Sequence, residues 1–265
     1  MNKKVFLMAA LAASVGVFSG CSDDDGPAPI SVDGATTDAP VVLPDSVTVG
    51  SVLYTNGISP TFEGGKLSLN LPETVASGSL YSDFQNYSQQ GYTVSDPTVK
   101  SLTISSVPAS YYKGTTTGTQ RTGYFMYSTA PSGKNWNTVM AEMLAGQYPT
   151  YSESNASAFF VYVDKDVTIS RTVTDKRDTV KVCYKNGNEY YEYQDDYVES
   201  EAYTRINIEN STIDLSYKTG WNFRYTVSSV NVALAGKTVT ITQTGTQTSP
   251  SAVSGLNWYF QASSN

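Results

Sequence analysis

From residue 47 onward, apolar and polar positions mostly alternate with the period of two that a half-buried strand requires. Residues 66–71 (Lys-Leu-Ser-Leu-Asn-Leu) show it most cleanly and stop at Pro72; residues 47–49 and 99–104 repeat it. Residues 123–128 and 158–163 are aromatic-rich and apolar on both faces, as central strands are. Asn186-Gly187 sits between two alternating segments and predicts a tight hairpin. Folding about it sets Val182 opposite Tyr191 and Val180 opposite Tyr193 toward the core, with Lys181 facing Glu192 on the outer side. Asn210-Ser211 predicts a second hairpin (Ile208 with Ile213, Ile206 with Leu215). Ala235-Gly236 predicts a third (Val232 with Val239, Val230 with Ile241). Residues 256–260 form a last strand.

Two stretches carry the helical period instead. Trp136, Val139, Met140, Met143 and Leu144 fall on one face, with Asn135 placed to cap the start and Gly146 the end. Leu80, Phe84 and Tyr87, closed by Gly91, suggest a shorter helix. Many short strands with Gly-rich turns and few helices predict an all-β fold: an antiparallel β-sandwich, or a barrel-like domain, with one or two short helical insertions. The domain spans residues 47–265, and a split near residues 150–158 is the alternative, because Pro149 and a Ser-rich stretch lie there.

The beginning of the chain follows another pattern. Lys3 and Lys4 precede an apolar run over residues 5–17, and Phe18-Ser19-Gly20-Cys21 follows it. This is the layout of an export signal, and the run is shorter than the about 20 apolar residues of a membrane span. The segment resembles a bacterial lipoprotein signal, with Phe18 where Leu is commoner. The resemblance implies cleavage after residue 20, lipidation of Cys21 and anchoring in outer-membrane lipid. Ser22-Asp23-Asp24-Asp25 resembles the acidic export signal of Bacteroidota surface lipoproteins and implies an outward-facing address. Residues 162–170 and 213–222 also look like pieces of uncharacterised Bacteroidota surface lipoproteins. Residues 21–46, acidic and rich in proline, predict a disordered tether.

Composition removes several chemistries. There is no histidine, so Ser-His-Asp and Cys-His catalysis and His-ligated zinc are excluded. Of two cysteines, Cys21 is assigned to lipid, which leaves Cys183 without an intramolecular partner. The net charge of −7 becomes −9 once Lys3 and Lys4 are removed, and no basic patch offers phosphate contacts, so nucleic acid is not an expected partner. No cofactor or metal is expected. Asp195, Asp196, Glu199 and Glu201 supply oxygen ligands of the kind Ca²⁺ takes but lack the spacing of an EF-hand loop.

Twenty tyrosines against nine phenylalanines and three tryptophans direct attention to residues 189–201, where Tyr and acids interleave. A pyranose presents an apolar face to a ring and vicinal hydroxyls to carboxylates, so Tyr190, Glu192 and Tyr197 are the candidate ligand-binding residues. Trp221, after Gly220 at a strand junction, is the tryptophan best placed to reach the surface and so the fourth candidate, with core packing as the other reading of it. The same residues also suit an ordinary strand and a solvated acidic loop. Ser46 and Thr179 lie in Asp-Ser/Thr-Val triplets that resemble the Bacteroidota O-glycosylation acceptor. The expectation is a lipid-anchored, surface-exposed, non-catalytic protein that binds a glycan. A fimbrial or adhesin-type subunit, with residues 256–260 as donor strand, is the alternative. A glycoside hydrolase using two carboxylates comes third.

Overall fold

The computed structural model describes residues 39–54, 57–114, 118–131, 134–185 and 188–263. Cys21, the signal segment, the acidic run after it and Asn186-Gly187 lie outside these residues. The strands are β1 (Ala39–Val42), β2 (Val47–Val52), β3 (Ser59–Glu63), β4 (Lys66–Asn70), β5 (Thr93–Val94), β6 (Ser101–Ile104), β7 (Val107–Lys113), β8 (Arg121–Ser128), β9 (Thr150–Val163), β10 (Val167–Lys185), β11 (Asn188–Tyr191), β12 (Tyr203–Tyr217), β13 (Gly220–Ala235), β14 (Thr238–Thr248) and β15 (Asn257–Ala262). Helices α1 (Asp83–Gln89) and α2 (Trp136–Leu144) interrupt them. The fold is all-β and sandwich-like, and it does not close into a barrel.

One sheet carries the strands in the order β11-β10-β12-β14-β13-β9-β8-β15-β1-β4-β3. It is mixed rather than purely antiparallel, because β14 runs parallel to β12 and β1 parallel to β15. β8 and β9 meet at a single pair, Ser128 with Ser157, so the sheet bends there. The bend encloses the largest core, which contains Leu67, Phe125, Phe160, Trp221, Trp258 and Phe260. β9 explains why its sequence reads apolar on both faces. Ala156, Ala158, Phe160 and Tyr162 enter this core, while Val161 and Val163 enter a second one beneath α1. The same strand runs unbroken through residues 150–163. β1 lies within the stretch expected to be tether. Val41 and Val42 pair with Trp258 and Tyr259 of β15, which orders that part of the chain.

Both helices form near where the 3.6 period placed them, although Leu80 is extended and precedes α1. The Asn135 side chain accepts from the Thr138 N–H at 2.8 Å, as an N-cap does. At the other end, Gly146 (φ 75°) donates to Met143 O and Gln147 to Glu142 O, the paired bonds of a Schellman motif. α1 ends the same way: Gly91 (φ 81°) donates to Ser88 O and Tyr92 to Tyr87 O. The accompanying contact is Tyr92 packed edge-on against Tyr87, ring centroids 5.0 Å apart.

The central feature is a fork. β12 and β13 are joined by Lys218 and Thr219 alone, yet they are not neighbours along most of their length. β14 lies between them, parallel to β12 from Thr204 to Asp214 and antiparallel to β13 from Ala235 back to Tyr225. Where β14 ends, the Ser249 hydroxyl accepts from Ser216 N–H and donates to Ser216 O, continuing the bonding for one more residue. The turn at the fork's base is held by two side chains. Asn222 Oδ1 accepts from Lys218 N–H, and its Nδ2 donates to Lys218 O and Gly220 O. Asp166 accepts from Thr219 N–H and from Lys218 Nζ, and these donors hold its carboxyl below the usual aspartate range.

The second expected hairpin does not exist. β12 runs straight through Asn210-Ser211, and Ile208 and Ile213 pair with Arg177 and Arg171 of β10. Asn210 serves a β-bulge instead. Thr174 and Asp175 together oppose it, Asp175 takes a positive φ of 51°, and its N–H donates to Asn210 Oδ1 at 2.8 Å. The third hairpin exists but turns one residue later. Ala235 pairs with Thr238, so Val232 faces Ile241 and Leu234 faces Val239. Gly236 (φ 56°) takes the first central position of the turn, where a positive φ is required. The last strand is not free for donation: β15 is bonded to β8 on one edge and β1 on the other.

Asn222 is buried, and replacing it by Ala strands several backbone groups at the base of the fork. Asn222→Ala should cost about 2–3 kcal/mol, a fall of roughly 5–10 °C in Tm by thermal denaturation. An unchanged Tm would show that the turn does not depend on this side chain.

Candidate functional site

The Tyr-rich segment grows out of the β10–β11 hairpin. Lys185 pairs with Asn188 and Val182 with Tyr191, the register set by the alternation of the two segments. The expected pairing stops there. β11 ends at Tyr191, where the Gln194 side chain accepts from Tyr191 N–H and the Gln194 N–H donates to Tyr191 O. On its other edge β10 pairs Val180 and Lys181 with Arg205 and Thr204 of β12. Lys181 meets Glu199 at 2.5 Å rather than Glu192. Tyr193, expected in the core, is 84 % exposed, its ring stacked at 15° on Tyr191 with centroids 5.7 Å apart.

Tyr190 is half-buried and pairs with Cys183. It lines a shallow depression of about 310 Å³ with Tyr193, Gln194, Asp195 and Asp196. Cys183 lies buried, and its thiol reaches Asp196 O at 3.7 Å. Asp196 also faces Lys185 at 3.5 Å. Glu192 is exposed and does not line the depression. Tyr197 is half-buried, and its hydroxyl donates to Glu199 at 2.7 Å. Desolvation, with the Glu199 carboxylate beside it, pushes that hydroxyl up to about 12. Lys181, then Tyr197, holds the Glu199 carboxyl below the usual range. Tyr197 is thus engaged within the segment, and Tyr193 takes its place as the presented ring.

Trp221 does not reach the surface as a binding residue and takes the core position instead. It is fully buried in the main core, its ring edge-on to Tyr162, and its indole N–H donates to Pro72 O at 2.8 Å. A strand junction brought it inward because residues 221 and 223 share the face that packs against the other half of the sandwich. Ser46 and Thr179 are both exposed. Ser46 precedes β2 and accepts through its carbonyl from Gly114 N–H, whereas Thr179 sits mid-strand, paired with Ile206. Among the described residues, no three His, Cys, Asp or Glu side chains are grouped to hold a metal.

The support of the segment was not read from the sequence. On the opposite face of the hairpin, Arg205 forms an ion pair with Glu189, their side chains 9 % and 11 % exposed. Arg205 Nη2 also donates to the Tyr191 hydroxyl at 3.2 Å, and the guanidinium lies 5.4 Å from that ring's centroid. Burial, then Glu189, pushes the neighbouring Tyr184 hydroxyl above the usual tyrosine range, keeping it neutral. A lone Arg in an alternating strand gives no sequence signal of its partner, which is 16 residues away. Compared with protein-family models, curated proteins and solved structures, the chain matches none.

Breaking a buried pair leaves a charge without its partner. Arg205→Met should cost about 3–5 kcal/mol in urea denaturation, and adding Glu189→Leu should recover most of it. A single variant as stable as the parent would contradict a structural role for the pair.

Proposed function

We propose that this is a lipid-anchored outer-membrane protein, facing outward, whose domain binds a glycan without cleaving it. The address rests on residues 1–25: the basic start, the apolar run, the Ser-Gly-Cys junction and the aspartates. Among the described residues no helix is long and apolar enough to cross a membrane, and the anchor in this reading is the acylated Cys21.

The observation that carries glycan binding is the exposed Tyr193 ring, held flat on Tyr191 beside the Asp195 and Asp196 carboxylates. Stacking restricts the ring's rotamers, so little freedom is lost when a sugar face covers it. The carboxylates beside it accept from hydroxyls at the sugar's edge. A depression this shallow suits a passing polysaccharide chain better than a small enclosed ligand. The adhesive-subunit reading would need a strand to donate, and β15 is already bonded on both edges.

Native gels containing a panel of polysaccharides provide the test. At least one glycan should retard the protein, and Tyr193→Ala should weaken that retardation about tenfold, as expected for about 1.4 kcal/mol of lost ring contact. Tyr190→Ala should weaken it as well. No retardation by any glycan, or retardation indifferent to both substitutions, would refute the reading. Concentration-dependent self-assembly would turn attention to the adhesive subunit.

A further inference from the structure

A second recess lies on the far side of the sheet from the main core, beneath α1. It encloses about 370 Å³. Phe84, Val161, Ile169 and Leu215 give it apolar walls, and Asn86 of α1 and Gln90 just after it stand among its polar lining. Among the described residues no acidic side chain lines it. Two arginines come from strands that face this helix. Arg224 of β13 lines the recess, with its guanidinium 4.9 Å from the Phe159 ring centroid. Arg171 of β10 lies 4.8 Å from the ring centroid of Tyr92, the residue that closes α1 against Tyr87. Among the described residues neither arginine has a carboxylate within ion-pair distance, although the chain carries seven more acids than bases.

The polar groups inside are short of acceptors. Arg224 Nη1 donates to the Tyr87 hydroxyl at 3.3 Å, which leaves the Tyr87 proton free to point elsewhere. Among the described residues Arg224 Nε has no partner. Tyr217 is 2 % exposed, packs its ring on Phe84, and has a buried hydroxyl with no hydrogen-bond partner among the described residues. Burial pushes that hydroxyl above the usual tyrosine range, so at neutral pH it keeps its proton and can donate, and its electrostatic neighbours are Arg224 and Tyr87. An arginine nitrogen can only donate. A buried donor left unpaired costs about 1–3 kcal/mol, so each needs an explanation. Here three donors from β12, β13 and α1 gather in one recess, and a single anionic group would satisfy them together.

We propose that this recess binds an organic carboxylate with an apolar body about the size of one ring. Its carboxylate accepts from Arg224 Nε and the Tyr217 hydroxyl, and its body lies against Phe84, Val161 and Leu215. The planar guanidinium suits a planar carboxylate. An inorganic anion would satisfy the donors but leave the apolar walls without contact. The site is separate from the Tyr193 platform and does not depend on glycan binding there.

The test is thermal shift and calorimetry on the purified protein with benzoate, phenylacetate and hexanoate, each beside its uncharged amide, and with inorganic phosphate. At least one acid should raise Tm with concentration while its amide does not. Arg224→Gln and Tyr217→Phe should each weaken the acid about tenfold or more. Tyr217→Phe removes only the unpartnered hydroxyl, so without ligand its Tm should equal or exceed that of the parent. That result keeps the proposal testable if Arg224→Gln folds poorly. The proposal is overturned if no acid binds, if amides bind as well as acids, or if phosphate binds as tightly as the acids. A Tyr217→Phe protein less stable than its parent would also overturn it, because the hydroxyl would then be satisfied by the protein itself.

Discussion

The insertion of β14 between β12 and β13 is the constraint on which the rest of the structure depends. Two strands joined by two residues would ordinarily pair with each other along their whole length. Here they part after the turn and take a third strand between them, satisfied on both edges by eleven residue pairs on each side. The base of the fork must stay closed while its arms open. Asn222, Asp166 and Ser249 do this with side-chain hydrogen bonds that stand in for missing ladder bonds. The short turn is also why Tyr217 and Arg224, on different strands, reach the same recess.

Once the fork is set, the two faces of the long strands have different duties. One face of β9 and β13 turns toward the shorter half of the sheet and builds the main core around Phe160, Phe223 and Trp221. The other face receives the two helices: Phe84 of α1 packs with Ile169, Leu215 and Tyr217, and Val139, Met140 and Met143 of α2 pack with Val232, Val239 and Ile241. The buried Arg205–Glu189 pair steadies the far end, where the Tyr193 ring is presented to solvent. Both proposed binding surfaces therefore sit at opposite ends of the same long strands, on residues whose neighbours are held by packing.

Local signals in the chain were legible. The alternation in residues 66–71, the caps at Asn135 and Gly146, and the register of Val182 with Tyr191 all depend on nearby residues, and all appear in the structure. Signals that compete with long-range pairing were misread. Asn210-Ser211 has turn chemistry, but the Asn side chain is used to satisfy a bulge 35 residues earlier. A parallel pair such as β12 with β14 leaves no mark on either sequence, because alternation is the same for parallel and antiparallel neighbours. The candidate site was half legible. The interleaved tyrosines and acids marked the segment, but strand alternation continued past Tyr191 put Tyr193 inside, whereas Gln194 turns the chain and puts it outside. Trp221 was placed by its neighbour Gly220, and the face it occupies is set by Phe160 and Phe223 instead.

The fork can be tested by cross-linking. Thr212, exposed, and Thr246, half-buried, are registered partners on β12 and β14, whereas a hairpin at Asn210-Ser211 would fold Thr212 back toward Glu209. A protein carrying Thr212→Cys and Thr246→Cys should form an intramolecular disulfide under mild oxidation, seen by mass spectrometry as one linked peptide pair, with its native spectrum unchanged. If the two thiols stay free in the folded protein, β14 does not lie in the fork, and the convergence of Tyr217 and Arg224 loses its structural basis.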